Sequence, residues 1–347
     1  VTTEKTEPAE EPNELFEHFR FVVDRGQSPL RIDKYLMAKI ENASRTRIQN
    51  AAHAGTIFVN EKPIKPNYKV KPLDVISIVL AYPPRDTEIY PENIPFNIVY
   101  EDDDILVVNK APGMVVHPGH GNFTGTLQNA VLYHLEEENK RRGTQFGTYL
   151  VHRIDKDTSG ILLIAKTELA QTKLAKQFFD HTINRTYVAL VWGNPPEPEG
   201  TITGNIGRDI RNRLMMTVYD DPEKGKHAVS HYRVLERLGY VTLVECHLET
   251  GRTHQIRVHF KHIGHPLFND EIYGGSEILK GTTFSKYKQF VQNCFKLIPR
   301  QALHAKSLGF IHPSSGKYVS FDSGYPDDLA AVIDKWRQYG THQEIEE

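Results

Sequence analysis

Cysteine is scarce in this chain: Cys246 and Cys294 are the only two among 347 residues. A disulfide framework and a Cys-rich zinc site are therefore excluded, and a reducing cytoplasm is the expected setting. Long apolar runs are missing too. No stretch approaches the roughly 20 apolar residues that a membrane-spanning helix needs. The first residues, VTTEKTEPAEEPNE, have neither the basic nor the apolar segment of a secretory signal. A bias of charge is also lacking, the formal net charge being -2, which taken alone gives no reason to expect a nucleic-acid partner. What is present is the mixture of a globular protein, 39% apolar and 25% charged, at a length that suits about two domains.

The small net charge hides a segregation. Residues 1–17 hold six Glu and one Lys, and read as a disordered acidic leader. Residues 20–80 hold eleven Lys/Arg against five Asp/Glu. A basic module behind an acidic leader has the electrostatics of an RNA binder. Within it, residues 31–41 place Ile32, Leu36 and Ile40 on one helical face. Ser44 is a candidate N-cap for a second short helix ending near Gly55, and Arg45 and Arg47 stand at its start. Helix-start N–H groups and two guanidinium groups together suit phosphate. Strand-like segments follow to residue 80, and residues 82–93, with three prolines, read as a linker.

From residue 94 strands and helices are interspersed without a regular βαβ rhythm. The expectation is α+β: a mixed, mainly antiparallel sheet with flanking helices over 94–340, and an acidic tail at 341–347. The most informative run is VHRIDKDTSGILLIAKT, residues 151–167. Asp155 lies there between Arg153 and Lys156, in a loop closed by Thr158-Ser159-Gly160, with an apolar strand directly after it. A carboxylate at a rigid loop-to-strand junction suits nucleophilic or acid–base work, although an Asp at such a place also caps turns for purely structural reasons. Four histidines, His254, His259, His262 and His265, fall within twelve residues. His-Glu-x-x-His spacing is absent, so no metal site is expected.

The ordered combination RIDKYL, SRTRIQ, AGTIFVNEKPI and VKPLDVISI resembles the S4 RNA-binding domain over about residues 19–80. The run HRIDKDTSG resembles the signature of the RluA-type RNA pseudouridine synthases. So, in order, do YEDDDILVVNKAPGMVVHPG, with Ala111 where Pro is frequent, NRTYVALVWG, LETGRTHQIRVHFKHIGHPLFNDEIYG, with Asn269 where Gly is usual, and LHAKSLGFIHP. An S4 module ahead of this domain resembles the branch acting on large-subunit ribosomal RNA. The resemblance implies that Asp155 is the catalytic aspartate, Tyr187 the active-site tyrosine and Arg257 the arginine paired with the aspartate. It implies that Arg153 contacts RNA near a flipped nucleotide. His152, Lys110, Arg45 and Arg47 are further candidate RNA contacts. The implied reaction breaks the N1–C1′ bond of a uridine and rejoins the base through C5, without cofactor or metal. Asp155 could attack C1′ or C6, and Tyr187 could lie against the uracil and help remove the C5 proton. A monomer working on ribosomal RNA, with no membrane partner, is expected. The competing reading is a non-catalytic RNA-binding or ribosome-assembly factor with the same fold. Intact Asp155, Tyr187 and Arg257 favour the enzyme.

Overall fold

The computed structural model describes residues 16–40, 44–80, 89–119, 122–212, 215–221 and 223–346; for residues 16–18, 47, 80 and 341–346 only the backbone is described. The chain divides into two compact units, 1–88 and 89–347.

The first unit contains β1 (Phe16–Val22), β2 (Leu30–Arg31), α1 (Ile32–Lys39), α2 (Arg45–His53), β3 (Ile57–Val59), β4 (Lys62–Pro63), β5 (Lys69–Val70) and β6 (Val75–Leu80). Four strands form a sheet in the order β1-β6-β3-β4, and β2 pairs with β5. Alternating Ile76 and Ile78 of β6 meet Ile57 and Val59 of β3, Ile32 and Leu36 of α1 and Ile48 of α2 in one apolar core, as a period of two against a period near four requires. Asp33, fully buried, accepts from Arg31, Arg45 and Gln49 at 2.8–3.2 Å and ties the two helices together. These donors hold the Asp33 carboxyl well below the usual carboxylate range, Arg31 most strongly and against the cost of burial. The acidic leader is shorter than expected. Phe16 and Glu17 already belong to β1, paired with Leu80 and Val79 of β6, because an antiparallel partner satisfies backbone groups whatever the side-chain charge. Residues 1–15, where the rest of the expected leader falls, lie outside the described residues.

The second unit contains β7 (Asn97–Glu101), β8 (Ile105–Lys110), α3 (Leu127–Arg142), β9 (Tyr149–Leu150), β10 (Ser159–Ala165), α4 (Glu168–Phe179), β11 (Asn184–Trp192), β12 (Glu199–Arg208), β13 (Met216–Tyr219), β14 (Lys226–Arg237), β15 (Val241–Leu248), α5 (Gln255–His262), α6 (Ser285–Leu297), β16 (Leu303–Ile311), β17 (Tyr318–Asp322) and α7 (Asp327–Glu346). These strands join one sheet, with the path β13-β12-β14-β15-β11-β16-β10-β8-β7; off this path β9 pairs with β10 and β17 with β16. Among the described residues only the β10–β16 pairing is parallel. The central strands are apolar on both faces because both are covered. In β11, Ala189 and Val191 join a core with Ile256 and Phe260 of α5, whereas Val188, Leu190 and Trp192 join one with Val291 of α6 and Trp336 of α7. The expected tail at 341–347 is instead helical backbone as far as Glu346. Part of the expected linker also belongs here: the side chain of Asn129 in α3 donates to the carbonyl of Tyr90, and Glu92 accepts from the Gly125 N–H.

Candidate active site

Residues 151–158 connect β9 to β10 at the middle of the sheet. Two buried cations fix this connection. Lys110, 1% exposed at the end of β8, donates to the carbonyls of Ala111, Met114 and Lys156, each at 2.8 Å. Arg300 donates to the Asp157 carbonyl and the Ser159 hydroxyl, and is itself held by Asp328 at 2.7 and 2.9 Å. Gly160 then enters β10 at φ +117°, where an added Cβ would stand 2.1 Å from the Ala305 carbonyl oxygen of β16. Only glycine fits the close parallel approach that follows the loop.

Asp155 faces Arg257 of α5 across 102 residues of sequence: Nη1 donates to Oδ2 at 3.1 Å. The guanidinium is aimed by a second carboxylate. Asp270, fully buried, accepts from Nε and Nη2 of Arg257 at 2.7 and 2.9 Å, a bidentate fork that fixes the plane of the group. Tyr273 covers one face of that plane, 5.0 Å from its ring centre. Burial opposes the charge on Arg257, but bonds and charges from Asp270 and Asp155 outweigh it and hold the guanidinium above its usual range. Oδ1 of Asp155, the other oxygen, lies 3.9 Å from Nε2 of His254.

A cavity of about 540 Å³ opens over this pair, lined among others by His152, Arg153, Asp155, Arg185, Tyr187, Arg252, His254 and Arg257. Its volume suits a nucleoside-sized group. Tyr187 of β11 forms part of the wall; burial pushes its hydroxyl up, so it meets a ligand as a neutral phenol. Arg153 is exposed. Arg185 lies against the Phe178 ring, and its buried Nε has no hydrogen-bond partner among the described residues. The site therefore offers an aimed carboxylate, an aromatic wall and a cationic rim.

Of the residues singled out in the sequence, Asp155, Tyr187, Arg257, Arg153 and His152 meet at this cavity. His152 is partly structural: Nε2 accepts from the Leu163 N–H at 2.9 Å, the ring stacks on Phe178, and burial pushes its pKa down to about 3, leaving it neutral. Lys110 is a correction. All three of its N–H donors are spent on backbone carbonyls and it has no surface to offer RNA, so it shapes the loop; burial pushes its ammonium down to about 7. Arg45 belongs to the first unit, half exposed, with Nε on Asp33; the Arg47 side chain lies outside the described residues. Three of the clustered histidines have partners of other kinds: His254 bonds Tyr273, His259 bonds Ser230 and His265 bonds the Trp192 carbonyl. Two other groups among the described residues approach metal-ligand spacing, Glu101–His134–Glu138 and Asp102–Asp104–His312. In the first, the Lys166 ammonium already bonds both glutamates at 2.8 Å. Asp270 and Tyr273 are site residues that the sequence alone does not single out, and His254 stands out there only as one of four clustered histidines. The one sequence signal near them is Asn269, standing where glycine is usual. Its backbone is left-handed at φ 56°, a conformation asparagine tolerates better than most residues, and the turn it makes presents Asp270 to Arg257.

The chain matches the RNA pseudouridylate synthase family over residues 104–262 and the S4 domain over residues 30–76. It is 46% identical over 317 residues to an uncharacterized RNA pseudouridine synthase of Chlorobaculum parvum, a match covering 91% of this chain and 96% of that one. It is 43% identical to the ribosomal large subunit pseudouridine synthase D of Zymomonas mobilis, covering 87% of this chain and 92% of the relative. Among solved structures, human RNA pseudouridylate synthase domain containing 1 superposes with a TM-score of 0.51 at 26% identity, over 71% of this chain and 95% of that one. With 46% identity along nine-tenths of its length, an S4 domain in the first unit and a mainly antiparallel catalytic sheet in the second, the chain belongs to the RluA-type RNA pseudouridine synthases and is an isomerase.

Proposed function

We propose that the protein converts specific uridines of large-subunit ribosomal RNA to pseudouridine, with Asp155 as the nucleophile and no cofactor. The observation that carries this reading is the asymmetric hold on Asp155. Oδ2 is bonded by Arg257, Oδ1 lies 3.9 Å from His254 Nε2, and the residue lines a nucleoside-sized cavity. Relatives named as ribosomal large subunit pseudouridine synthase D, from Zymomonas mobilis and Neisseria meningitidis, support the substrate class at 42–43% identity. The conversion is an isomerisation: the C5 proton leaves, N1 gains one in its place, and no electrons are gained or lost, so its chemical demands are a nucleophile, a site for a turned base and removal of the C5 proton. Two points of attack are open to the carboxylate, C1′ of the ribose and C6 of the base. Tyr187 lies beside the base and its hydroxyl assists at C5. The base must leave its stack to reach the cavity, which is less costly in a loop than in a duplex, and Arg153, Arg185 and Arg252 hold the flanking backbone. The enzyme acts as a monomer in the cytoplasm. Among the described residues no helix is long and apolar enough to cross a membrane. The test is tritium release from large-subunit ribosomal RNA labelled at uridine C5, followed by mapping of pseudouridine in the product; no release and no pseudouridine would refute the reading.

Two further results are expected. Lys110→Met leaves three carbonyls without their donor, at roughly 1–3 kcal/mol each where water cannot replace it. The Asp155 loop then loses its anchor, and a shift of about 1 Å is enough to lower turnover ~10²-fold. Turnover numbers and urea unfolding, measured together, check this, and a wild-type rate would show that the loop does not depend on Lys110. Deleting residues 1–80 should weaken binding to large structured RNA more than it slows chemistry. Leader and module nearly cancel in formal charge, so a general change of charge does not account for such an effect, whereas a local basic surface does. Log affinity should fall more steeply with log salt for the intact chain, by about one unit for each phosphate that the module neutralises. Equal slopes and affinities for the two proteins would make the module something other than an RNA clamp.

A further inference from the structure

His254 precedes α5 and stands in the left-handed region, φ 56° and ψ 24°. That backbone is uncommon for histidine, and where it occurs the surrounding structure holds it. Here it brings the imidazole to the wall that separates two cavities: His254, Asp155 and Arg257 line both the one described above and a second of about 420 Å³.

The protonation of this ring is set by its neighbours. Nδ1 lies 2.8 Å from the Tyr273 hydroxyl. That hydroxyl already accepts from the backbone N–H of Met216, at 3.0 Å. Tyr273 is 1% exposed, so its own proton needs a protein acceptor, and among the described residues the acceptor within hydrogen-bond reach is Nδ1. Tyr273 therefore donates to His254, Nδ1 is the unprotonated nitrogen, and the remaining proton is on Nε2. Burial lowers the imidazole pKa and pushes the Tyr273 hydroxyl up to about 12, which keeps both groups neutral near pH 7. The charged groups that face the ring are Asp155 and Arg153 from the catalytic loop, Arg257 from α5, and Asp270.

Nε2–H is 3.9 Å from Oδ1 of Asp155, too far for a hydrogen bond. It is a donor left beside the attacking oxygen. We propose that His254, held as the Nε2–H tautomer by Tyr273, donates a hydrogen bond to the uracil carbonyl oxygen on which negative charge gathers during the reaction. This rests on the reading of Asp155 as nucleophile. If Oδ1 bonds to C1′, the N1–C1′ bond breaks and its electron pair stays on the base, spread over N1 and the carbonyl oxygens. If Oδ1 bonds to C6, the C5–C6 π electrons pass through C5 to the C4 carbonyl oxygen. Both routes load a carbonyl oxygen with charge, and in both the histidine keeps its proton. A neutral donor aimed in advance at developing charge acts on the transition state more than on the bound substrate. Tyr273 acts through His254 and is a positioning residue.

The test uses the full chain and tritium-labelled large-subunit ribosomal RNA. His254→Ala should lower kcat by about 10²-fold with KM changed only a few-fold, the range seen on removing one such donor. Tyr273→Phe should lower kcat less, and ¹⁵N spectra of the imidazole should show the single Nε2–H tautomer of the wild type replaced by exchange between two. A change confined to KM, a wild-type kcat in His254→Ala, or a wild-type spectrum with the proton on Nδ1 would each overturn the proposal. Should His254→Ala prove poorly folded, the spectrum and the Tyr273→Phe rate decide it. The two readings fail differently: no tritium release from the wild type removes the reaction itself, whereas a fully active His254→Ala beside an inactive Asp155→Asn removes only the role of the histidine.

Discussion

Asp155→Asn is expected to end tritium release while the protein stays folded and still binds RNA. The amide has the shape of the carboxylate, and its oxygen can still accept from Nη1 of Arg257, so the change in stability should be about 1 kcal/mol. The nucleophile is gone, and loss of a nucleophile removes the pathway and does more than slow it. A fall of at least about 10⁴-fold is expected, in line with nucleophile deletions in other covalent enzymes. Binding measured by gel shift on the ribosomal transcript should remain within a few-fold of wild type, because the cationic rim and the first unit are untouched. A variant that binds and releases tritium at the wild-type rate would show that Asp155 is a structural aspartate and that the chemistry lies elsewhere.

Arg257→Met should be costly in both stability and rate. Asp270 is fully buried and bonded by two N–H groups of that arginine; its other partner is the Tyr273 backbone N–H at 3.2 Å. Methionine fills most of the space but takes the charged partner from a buried carboxylate and leaves it the Tyr273 N–H, a loss of about 3–5 kcal/mol. Turnover should fall at least ~10²-fold as Asp155 loses the group that orients it. The double variant Arg257→Met with Asp270→Asn separates the two effects. Without the unpaired charge, much of the stability should return, and turnover should stay low. Urea unfolding of the single and double variants with parallel rate measurements checks this. A single variant within about 1 kcal/mol of wild type would mean that the pair contributes little to the core.

The parts of the fold that are legible in the sequence are those carried by local patterns. The apolar run 161–165 reads as a buried strand because both faces of β10 are covered, and helix α1 follows from the spacing of Ile32 and Leu36 on one face. The site is legible to a narrower extent. Nothing in spacing brings Arg257 to Asp155; the resemblance of two motifs to one family connects them, and the physical reason is the packing of α5 over the sheet. Lys110 reads wrongly as an RNA contact because a lysine looks the same in sequence whether it faces water or three carbonyls. His254 is one of four histidines in its stretch of chain, and neither its left-handed backbone nor its bond to Tyr273 has a local signature.

By itself, the sequence determined the class of this protein: two domains, an α+β catalytic unit, a basic RNA-binding module, and the carboxylate, tyrosine and arginine of the site. The domain count, the α+β class and the basic character of the module follow from composition and periodicity, whereas the three site residues follow from the resemblance of the motifs to one family. The tertiary structure alone decided the working state of each group. It spends Lys110 and Arg300 on the Asp155 loop, aims Arg257 through Asp270, holds one oxygen of Asp155 through Arg257, and sets the proton of His254 through Tyr273 and a backbone N–H from β13. Each of these is a contact between residues distant in sequence, and its strength comes from burial. A sequence names the groups, and only folding removes the water that would otherwise compete for their hydrogen bonds.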